Sequence, residues 1–362
     1  MRIKKIHIQN YKSLVDFELD NPPPFCAFVG PNASGKSNIF EALEFTNYAV
    51  RFAHTAPAFF KGSDAVLSYI NKNPKNTYQI KFAAIFKKGI EINFAGVFSP
   101  TTKDSFSVIY EIHDDNVPYS PSRLSFADIR DSIKRKEYID SLKNTSKVYE
   151  NEYEVFVDNF LRVFIGKSDL NRLPVSQNRF APDASNLSDV LGRIFESELK
   201  WGDFLEWVRI LIPEFENIEI KKSNIDGSYE FFVYEKSSGK PFPKHLISDG
   251  TYNILALMAA VYQSSEPQFL CIEEPENGLH PQAIEFLVDF FREKCEQEGH
   301  HIWLNTHSPT LVRCMKIDEI VLVNKINGET RAKRVVNMND LDIKTDEAWL
   351  TNALGGGVSW SK

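Results

Sequence analysis

The chain has 362 residues, 43% hydrophobic and 13% aromatic, with 49 acidic and 42 basic side chains and a formal net charge of −7. That is apolar material for a sizeable core in one large domain or two lobes, and the acidic balance excludes a protein that coats nucleic acid over its whole surface. The four cysteines (Cys26, Cys271, Cys295 and Cys314) show neither C-x-x-C nor metal-ligand spacing, no run reaches the ~18 apolar residues of a membrane span, and the start MRIKKIHIQNYKSL has no apolar signal core, so a soluble cytoplasmic protein is expected.

In chain order, residues 3–8 and 15–19 read as two strands joined by a turn over 10–13. Three prolines at 22–24 precede the apolar run Phe25-Cys26-Ala27-Phe28-Val29, the pattern of a fully buried strand, and a glycine-rich loop then leads into a helix from 37 to about 48. Residues 78–86, 90–98 and 106–112 predict a three-stranded meander. From 126 to 164 apolar residues, ending in Phe156, Phe160 and Phe164, recur at helical spacing among many charges, and two more helices follow at 186–199 and 203–211. This block predicts a helical insertion. Strands return at 218–221 and 229–234. Helix and strand then alternate: 251–263, 268–272, 281–297, 301–305, 309–315 and 319–323, which indicates an at least partly parallel sheet covered by helices. The expected division is a first lobe over 1–120, the insertion over 121–215 and a second lobe over 216–362.

Gly30-Pro31-Asn32-Ala33-Ser34-Gly35-Lys36-Ser37 fits G-x-x-x-x-G-K-[ST] between a buried strand and a helix. Successive backbone N–H groups and the helix N-terminus suit phosphate oxygens. Lys36 would reach the β- and γ-phosphates of ATP and the Ser37 hydroxyl would ligate Mg²⁺. The strand Phe269-Leu270-Cys271-Ile272 ends in two carboxylates; Glu273 would hold Mg²⁺ through water and Glu274 would orient and deprotonate an attacking water. A second strand ends at His307, followed by Ser308 as a helix cap and Pro309 in the first turn. Ser248-Asp249-Gly250-Thr251 opens another helix, where a hydroxyl and glycine amides can grip a phosphate.

This order of motifs resembles the ATPase head of ABC-type proteins. The opening Ile6-His7-Ile8-Gln9-Asn10-Tyr11-Lys12-Ser13 is similar to the start of the RecF, SMC and OLD branch, and Ser248-Asp249-Gly250-Thr251 with Glu273-Glu274-Pro275-Glu276-Asn277-Gly278-Leu279-His280-Pro281 resembles stand-alone OLD-like AAA ATPases. The resemblance implies an α/β P-loop NTPase fold: a mixed sheet flanked by helices, an antiparallel β-subdomain and a helical insertion. It implies an ATP-sandwich homodimer or higher oligomer, in which Ser248 and Gly250 contact ATP held by the opposite protomer. It also puts Asn277 in the D-loop at the dimer seam and makes His307 a sensor of the γ-phosphate. Glu273 stands where the broader ABC pattern has Asp, and Asp249 where it has a signature glycine. With 55 residues after His307, a Toprim nuclease domain is not expected there. The leading expectation is a switch for a separate effector protein, in phage defence or a toxin–antitoxin-like system. The alternative is a RecF-like repair ATPase that binds DNA through Lys4, Lys5, Lys12, Lys134-Arg135-Lys136 or Lys221-Lys222. A transporter subunit fits neither the insertion nor the N-terminal motif, and no membrane partner is expected.

Overall fold

The computed structural model describes residues 2–68, 77–85, 91–102, 105–114, 124–125, 159–165, 179–335 and 344–354. The helical pattern expected over 126–158 and the basic run at 134–136 lie outside the described residues, as does the end of the chain from 355.

Strands β1 (Arg2–Tyr11) and β2 (Leu14–Asp20) form the hairpin expected at the N-terminus. They join β4 (Tyr78–Ile85), β5 (Glu91–Thr102), β6 (Ser105–Asp114) and the short β7 (Leu124–Ser125) in one antiparallel sheet ordered β2-β1-β4-β5-β6-β7. The expected meander therefore continues the N-terminal hairpin.

The second sheet carries the site. Its order is β15-β14-β3-β13-β12-β8, from β3 (Phe25–Val29), β8 (Phe160–Val163), β12 (Phe269–Glu273), β13 (His301–Thr306), β14 (Ile320–Ile326) and β15 (Glu329–Arg334). All its pairings are parallel except the β14–β15 hairpin. Both faces are covered, which is why β3, β12 and β13 read as continuous apolar runs. In β3, Phe25, Ala27 and Val29 enter one core while Cys26 and Phe28 enter the other. Leu270 and Ile272 alternate with Phe269 and Cys271 in the same way.

Helix α1 (Lys36–Phe52) packs between the two sheets, so Ile39, Phe40 and Leu43 share a core with Ile6, Ile8, Phe28 and Trp303. Each such large side chain contributes about 1.5–3 kcal/mol by leaving water. A 3₁₀ segment, Ala53–Phe60, and the single turn α2 (Ser63–Val66) follow.

Helices α3 (Leu187–Phe195), α4 (Glu198–Leu211), α5 (Asp249–Tyr262) and α6 (Pro281–Glu298) bury their apolar residues in the core on the opposite face. The small sheet β11-β10-β9 adds to that core from Phe215–Lys222 (β9) and Tyr229–Glu235 (β10), with Phe242–Pro243 (β11) at its edge. After β13 come α7 (Pro309–Cys314), the β14–β15 hairpin and α8 (Thr345–Leu350). Helix α8 is tied to α7 by Arg313 Nε donating to Asp346 Oδ2 at 2.8 Å.

Two expectations change. Residues 160–163 form a strand beside β12, not a helix. Phe160 and Phe164 are four apart, as on a helix, but a short strand buried on both faces shows no alternation to betray it. The helix expected over 186–199 stops at Phe195, because Ser197 is extended and starts α4 (φ −109°, ψ 103°). Leu199, the expected end of that helix, is exposed in α4.

Candidate functional site

The loop between β3 and α1 curls around the side chain of Lys36, whose Nζ donates to the carbonyls of Gly30 (2.8 Å) and Pro31 (2.9 Å). Burial lowers the Lys36 pKa, and the carboxylates of Glu274, Glu273 and Glu276 act in the opposite direction. Gly35 has φ +98°, and a Cβ there would lie 1.9 Å from Thr330 Oγ1. Only glycine meets both conditions.

Thr330 is a buttress that sequence reasoning missed. Its hydroxyl donates to Ser34 O (2.9 Å) and lies 2.7 Å from Ser13 Oγ, which accepts from Asn38 Nδ2 at 2.7 Å. A hydroxyl has one proton. The chain therefore runs from Asn38 amide to Ser13, from Ser13 to Thr330, and from Thr330 to the loop carbonyl. The last residue of the N-terminal motif thus supports the phosphate loop from outside. Lys12 ends the same turn with Nζ on Glu41 Oε2 of α1 at 2.7 Å.

Strand β12 delivers the paired carboxylates. Ser37 Oγ donates to Glu273 Oε2 at 2.8 Å and receives Asn305 Nδ2 at 3.1 Å. The strand ends when Glu274 takes φ +47°, a left-handed turn that separates its direction from that of Glu273. Glu274 Oε1 then lies 3.5 Å from His307 Nδ1, and its Oε2 accepts from Asn277 Nδ2 at 3.0 Å. Glu276 is buried and accepts from Thr306 Oγ1 at 2.5 Å, while Ser308 N donates to that same hydroxyl at 2.9 Å. Burial raises the Glu276 pKa against this hydrogen bond. The loop holding His307 is thereby tied to the loop holding Asn277.

Gly30–Ser37, Glu273, Glu274, Asn277 and His307 gather at the C-terminal ends of parallel strands β3, β12 and β13, the usual ligand edge of such a sheet. Ser248 and Gly250 are placed differently. The exposed Ser248 caps α5 by accepting from Thr251 N at 3.1 Å. A Cβ on Gly250 would lie 2.8 Å from Gly278 O, and Asn253 Nδ2 donates to Asn277 O at 3.0 Å. The start of α5 is thus packed on the Asn277 loop, and the Ser248 hydroxyl is spent within its own cap.

Sequence reasoning also missed Arg162 and Glu44. Arg162 on β8 donates from Nε to Glu273 Oε1 at 2.6 Å and from Nη1 to Glu44 Oε2 of α1 at 2.9 Å, all three side chains being buried. Its signal was a charge inside the apolar string Phe160-Leu161-Arg162-Val163-Phe164.

The donor set suits a polyphosphate with a divalent cation. Among the described residues, Ser34 Oγ, Asn305 Oδ1 and Glu276 Oε2 are buried without a hydrogen-bond partner, the first in the phosphate loop itself. No group of three or more His, Cys, Asp or Glu that could hold a metal occurs among them. A Mg²⁺ ion held at Ser37 and Glu273 would take one hydroxyl and one carboxylate from the protein and fill its coordination with water and phosphate oxygens. When bound there, Mg²⁺ would neutralise phosphate charge.

A phosphate loop, a carboxylate pair on the neighbouring strand of a parallel sheet and an antiparallel sheet over the loop's helix define an ABC-type ATPase head. The family described as "AAA domain, putative AbiEii toxin, Type IV TA system" matches residues 25–313, and the chain belongs to this AAA family. It is similar to the chromosome partition protein Smc of Methanococcus voltae, 21% identical over 253 residues covering 65% of this chain and 20% of that protein. It is also similar to the DNA replication and repair protein RecF of Lactococcus lactis subsp. cremoris, 42% identical over 45 residues, 12% of each chain. The chain spans about a fifth or less of the Smc relatives it matches. Among solved structures, an Smc head bound to the C-winged helix domain of ScpA aligns with TM-score 0.59 at 17% identity, over 92% of this chain and 97% of that one. The SMC head domain from Thermotoga maritima aligns with TM-score 0.51 at 15% identity, over 93% and 100%. The fold is that of an SMC head, and the chain is an ABC-type ATPase of the RecF/SMC branch. Among the described residues, no helix is long and apolar enough to cross a membrane.

Proposed function

We propose that this protein binds ATP with Mg²⁺, hydrolyses it at a site completed by a second copy of the chain, and uses the cycle to regulate a separate effector protein in the cytoplasm. The observation that carries the catalytic part is the division of labour at the end of β12. Glu273 faces Ser37, the metal-ligating hydroxyl of the loop, while Glu274 turns away toward His307 and Asn277. One carboxylate is thus placed for the cation and the other for a water beyond the phosphate. His307 holds the far side of Glu274 and is set for the γ-phosphate. Lys36 exchanges its loop carbonyls for phosphate oxygens, and the N–H groups of residues 32–35 with the start of α1 supply the remaining donors.

Ser248 is exposed at the start of α5, and Gly250 packs on the Asn277 loop. In the proposed dimer or higher oligomer both would contact ATP held by the opposite protomer, with Asn277 at the seam.

An effector is favoured over direct DNA binding by three observations. The family description names a toxin and a type IV toxin–antitoxin system, and solved SMC heads of this fold are described as bound to domains of a separate protein, ScpA. Most of the lysines expected to contact DNA also face carboxylates: Lys5 pairs with Glu18 and Asp20, Lys12 with Glu41, Lys221 with Glu219 and Lys222 with Glu196. A basic stripe for phosphates needs such charges unspent. Phage defence is the setting this reading suits best.

The catalytic test compares wild type with Glu274→Gln. The variant should retain ATP and hydrolyse it about 10²–10⁴-fold more slowly, the usual value of a positioned base. Wild-type turnover in the variant would remove Glu274 from that role. Duplex DNA that binds in a salt-dependent way and accelerates hydrolysis would replace the effector reading with the RecF-like one.

A further inference from the structure

Arg162 sits in the core sheet for a reason that the phosphate loop and carboxylate pair do not supply. Strand β8 runs parallel to β12 with Arg162 opposite Cys271, so Arg162 and Glu273, two residues further along, project to the same face. Helix α1 covers that face and contributes Glu44. The guanidinium fork fills the corner: Nε and Nη2 both donate to Glu273 Oε1, Nη1 donates to Glu44 Oε2, and the cation lies 5.4 Å from the Phe164 ring centroid. Glu273 keeps Oε2 for the Ser37 hydroxyl.

We infer that Arg162 is a resident counter-ion that fixes Glu273 toward Ser37 and sets how tightly a divalent cation binds there, with Glu44 drawing off part of its charge. The inference rests on the Mg²⁺–ATP site proposed above and concerns the regulation of that site. A buried carboxylate with no cation beside it carries a large desolvation cost, so a fixed guanidinium offsets that cost and holds Glu273 in place before metal arrives. The same positive charge, a few ångströms from the metal position in a low-dielectric corner, repels the cation. Affinity is therefore held down while the pose is held firm. Glu44 matters because it is the second acceptor: with the guanidinium shared, Glu273 feels less of its charge.

Two variants should move metal affinity in opposite directions. Arg162→Met keeps the length and apolar packing of the stem and removes the charge; uptake of Mn²⁺ by the ADP-bound full-length protein should tighten about tenfold. Glu44→Gln leaves the guanidinium to Glu273 alone, and Mn²⁺ uptake should weaken about threefold to tenfold. ADP affinity in EDTA should change less than about threefold in both, because neither side chain reaches the phosphate loop.

The measurement is a Mn²⁺ titration followed by electron paramagnetic resonance of the free ion, with saturating ADP. A merely structural Arg162 would give weaker metal uptake and weaker ADP binding together in Arg162→Met, and that result overturns the inference. If Arg162→Met does not fold, Glu44→Gln decides alone: unchanged or tighter Mn²⁺ binding refutes the sharing of charge. Wild-type protein that takes up no Mn²⁺ with ADP overturns the proposed metal–nucleotide site and this inference with it. Normal wild-type uptake that neither variant alters sinks only the inference.

Discussion

The Thr330→Val substitution tests whether the hairpin after β14 supports the phosphate loop. Valine keeps the branched shape of Thr330, so the change removes one buried hydroxyl and little volume. The structure fixes what is lost: the proton given to Ser34 O and the acceptor for the Ser13 proton. Leaving a buried partner unsatisfied costs about 1–3 kcal/mol, so two such partners give about 2–4 kcal/mol after some rearrangement. Thr330→Ser removes a methyl and keeps the hydroxyl, at about 1 kcal/mol. Urea denaturation measures both, and a fluorescent ATP analogue reads the loop directly. Valine should cost more stability than serine and should weaken nucleotide binding, because the unsupported Ser34 carbonyl lets the loop relax around Lys36. Equal losses for the two variants, or unchanged nucleotide affinity in Thr330→Val, would refute the buttress.

Lys36→Ala should abolish nucleotide-dependent stabilisation, read as the loss of any melting shift on adding ATP. Chains carrying Lys36→Ala or Ser248→Arg should each be inactive alone, yet a mixed dimer holds one site with both lesions and one with neither. Mixing should restore part of the hydrolysis, and verified subunit exchange with no recovery would exclude a signature that acts in trans. His301 on β13 gives a pH dependence, since burial lowers its pKa from 6.5 to about 3. The unfolded chain therefore binds the proton first: stability is full above the unfolded value and falls as pH drops toward the folded one, by up to about 1.4 kcal/mol per pH unit. His301→Phe, beside the Phe269 ring, should flatten that slope in denaturation series at about pH 7.5 and about pH 5.5, and an equal slope in both proteins would refute it.

The fold was legible where a strand or helix announces itself locally. The apolar runs of β3, β12 and β13, and the loops that end them, depend on a few consecutive residues whose chemistry the sequence shows directly. The hairpin joining β14 to β15 lies within reach of the sequence, because the dipeptide Asn327-Gly328 takes φ +51° and +87° as the tight turn requires. Strand β8 was out of reach: four residues buried on both faces offer no period, and their pairing to β12 spans more than a hundred positions of sequence.

The same distance explains what was seen and missed in the site. A cluster of acids is visible as a string, Glu273-Glu274-Pro275-Glu276, but the groups that make it tolerable lie elsewhere in the chain. Four carboxylates, Glu44, Glu273, Glu274 and Glu276, stand against two basic side chains, Lys36 and Arg162. At an effective dielectric near 20, a like-charge pair about 6 Å apart costs about 3 kcal/mol, so carboxylates gathered at one corner need partners. The fold supplies them by topology: β8 brings Arg162 beside Glu273, α1 brings Lys36 and Glu44 to the same corner, and β13 brings Thr306 to Glu276. Burial raises the Glu276 pKa, and the Thr306 hydroxyl acts against that shift. A short motif can show which groups meet a ligand. The charges that hold those groups in place are set by strand order, and strand order becomes visible only when the chain has folded.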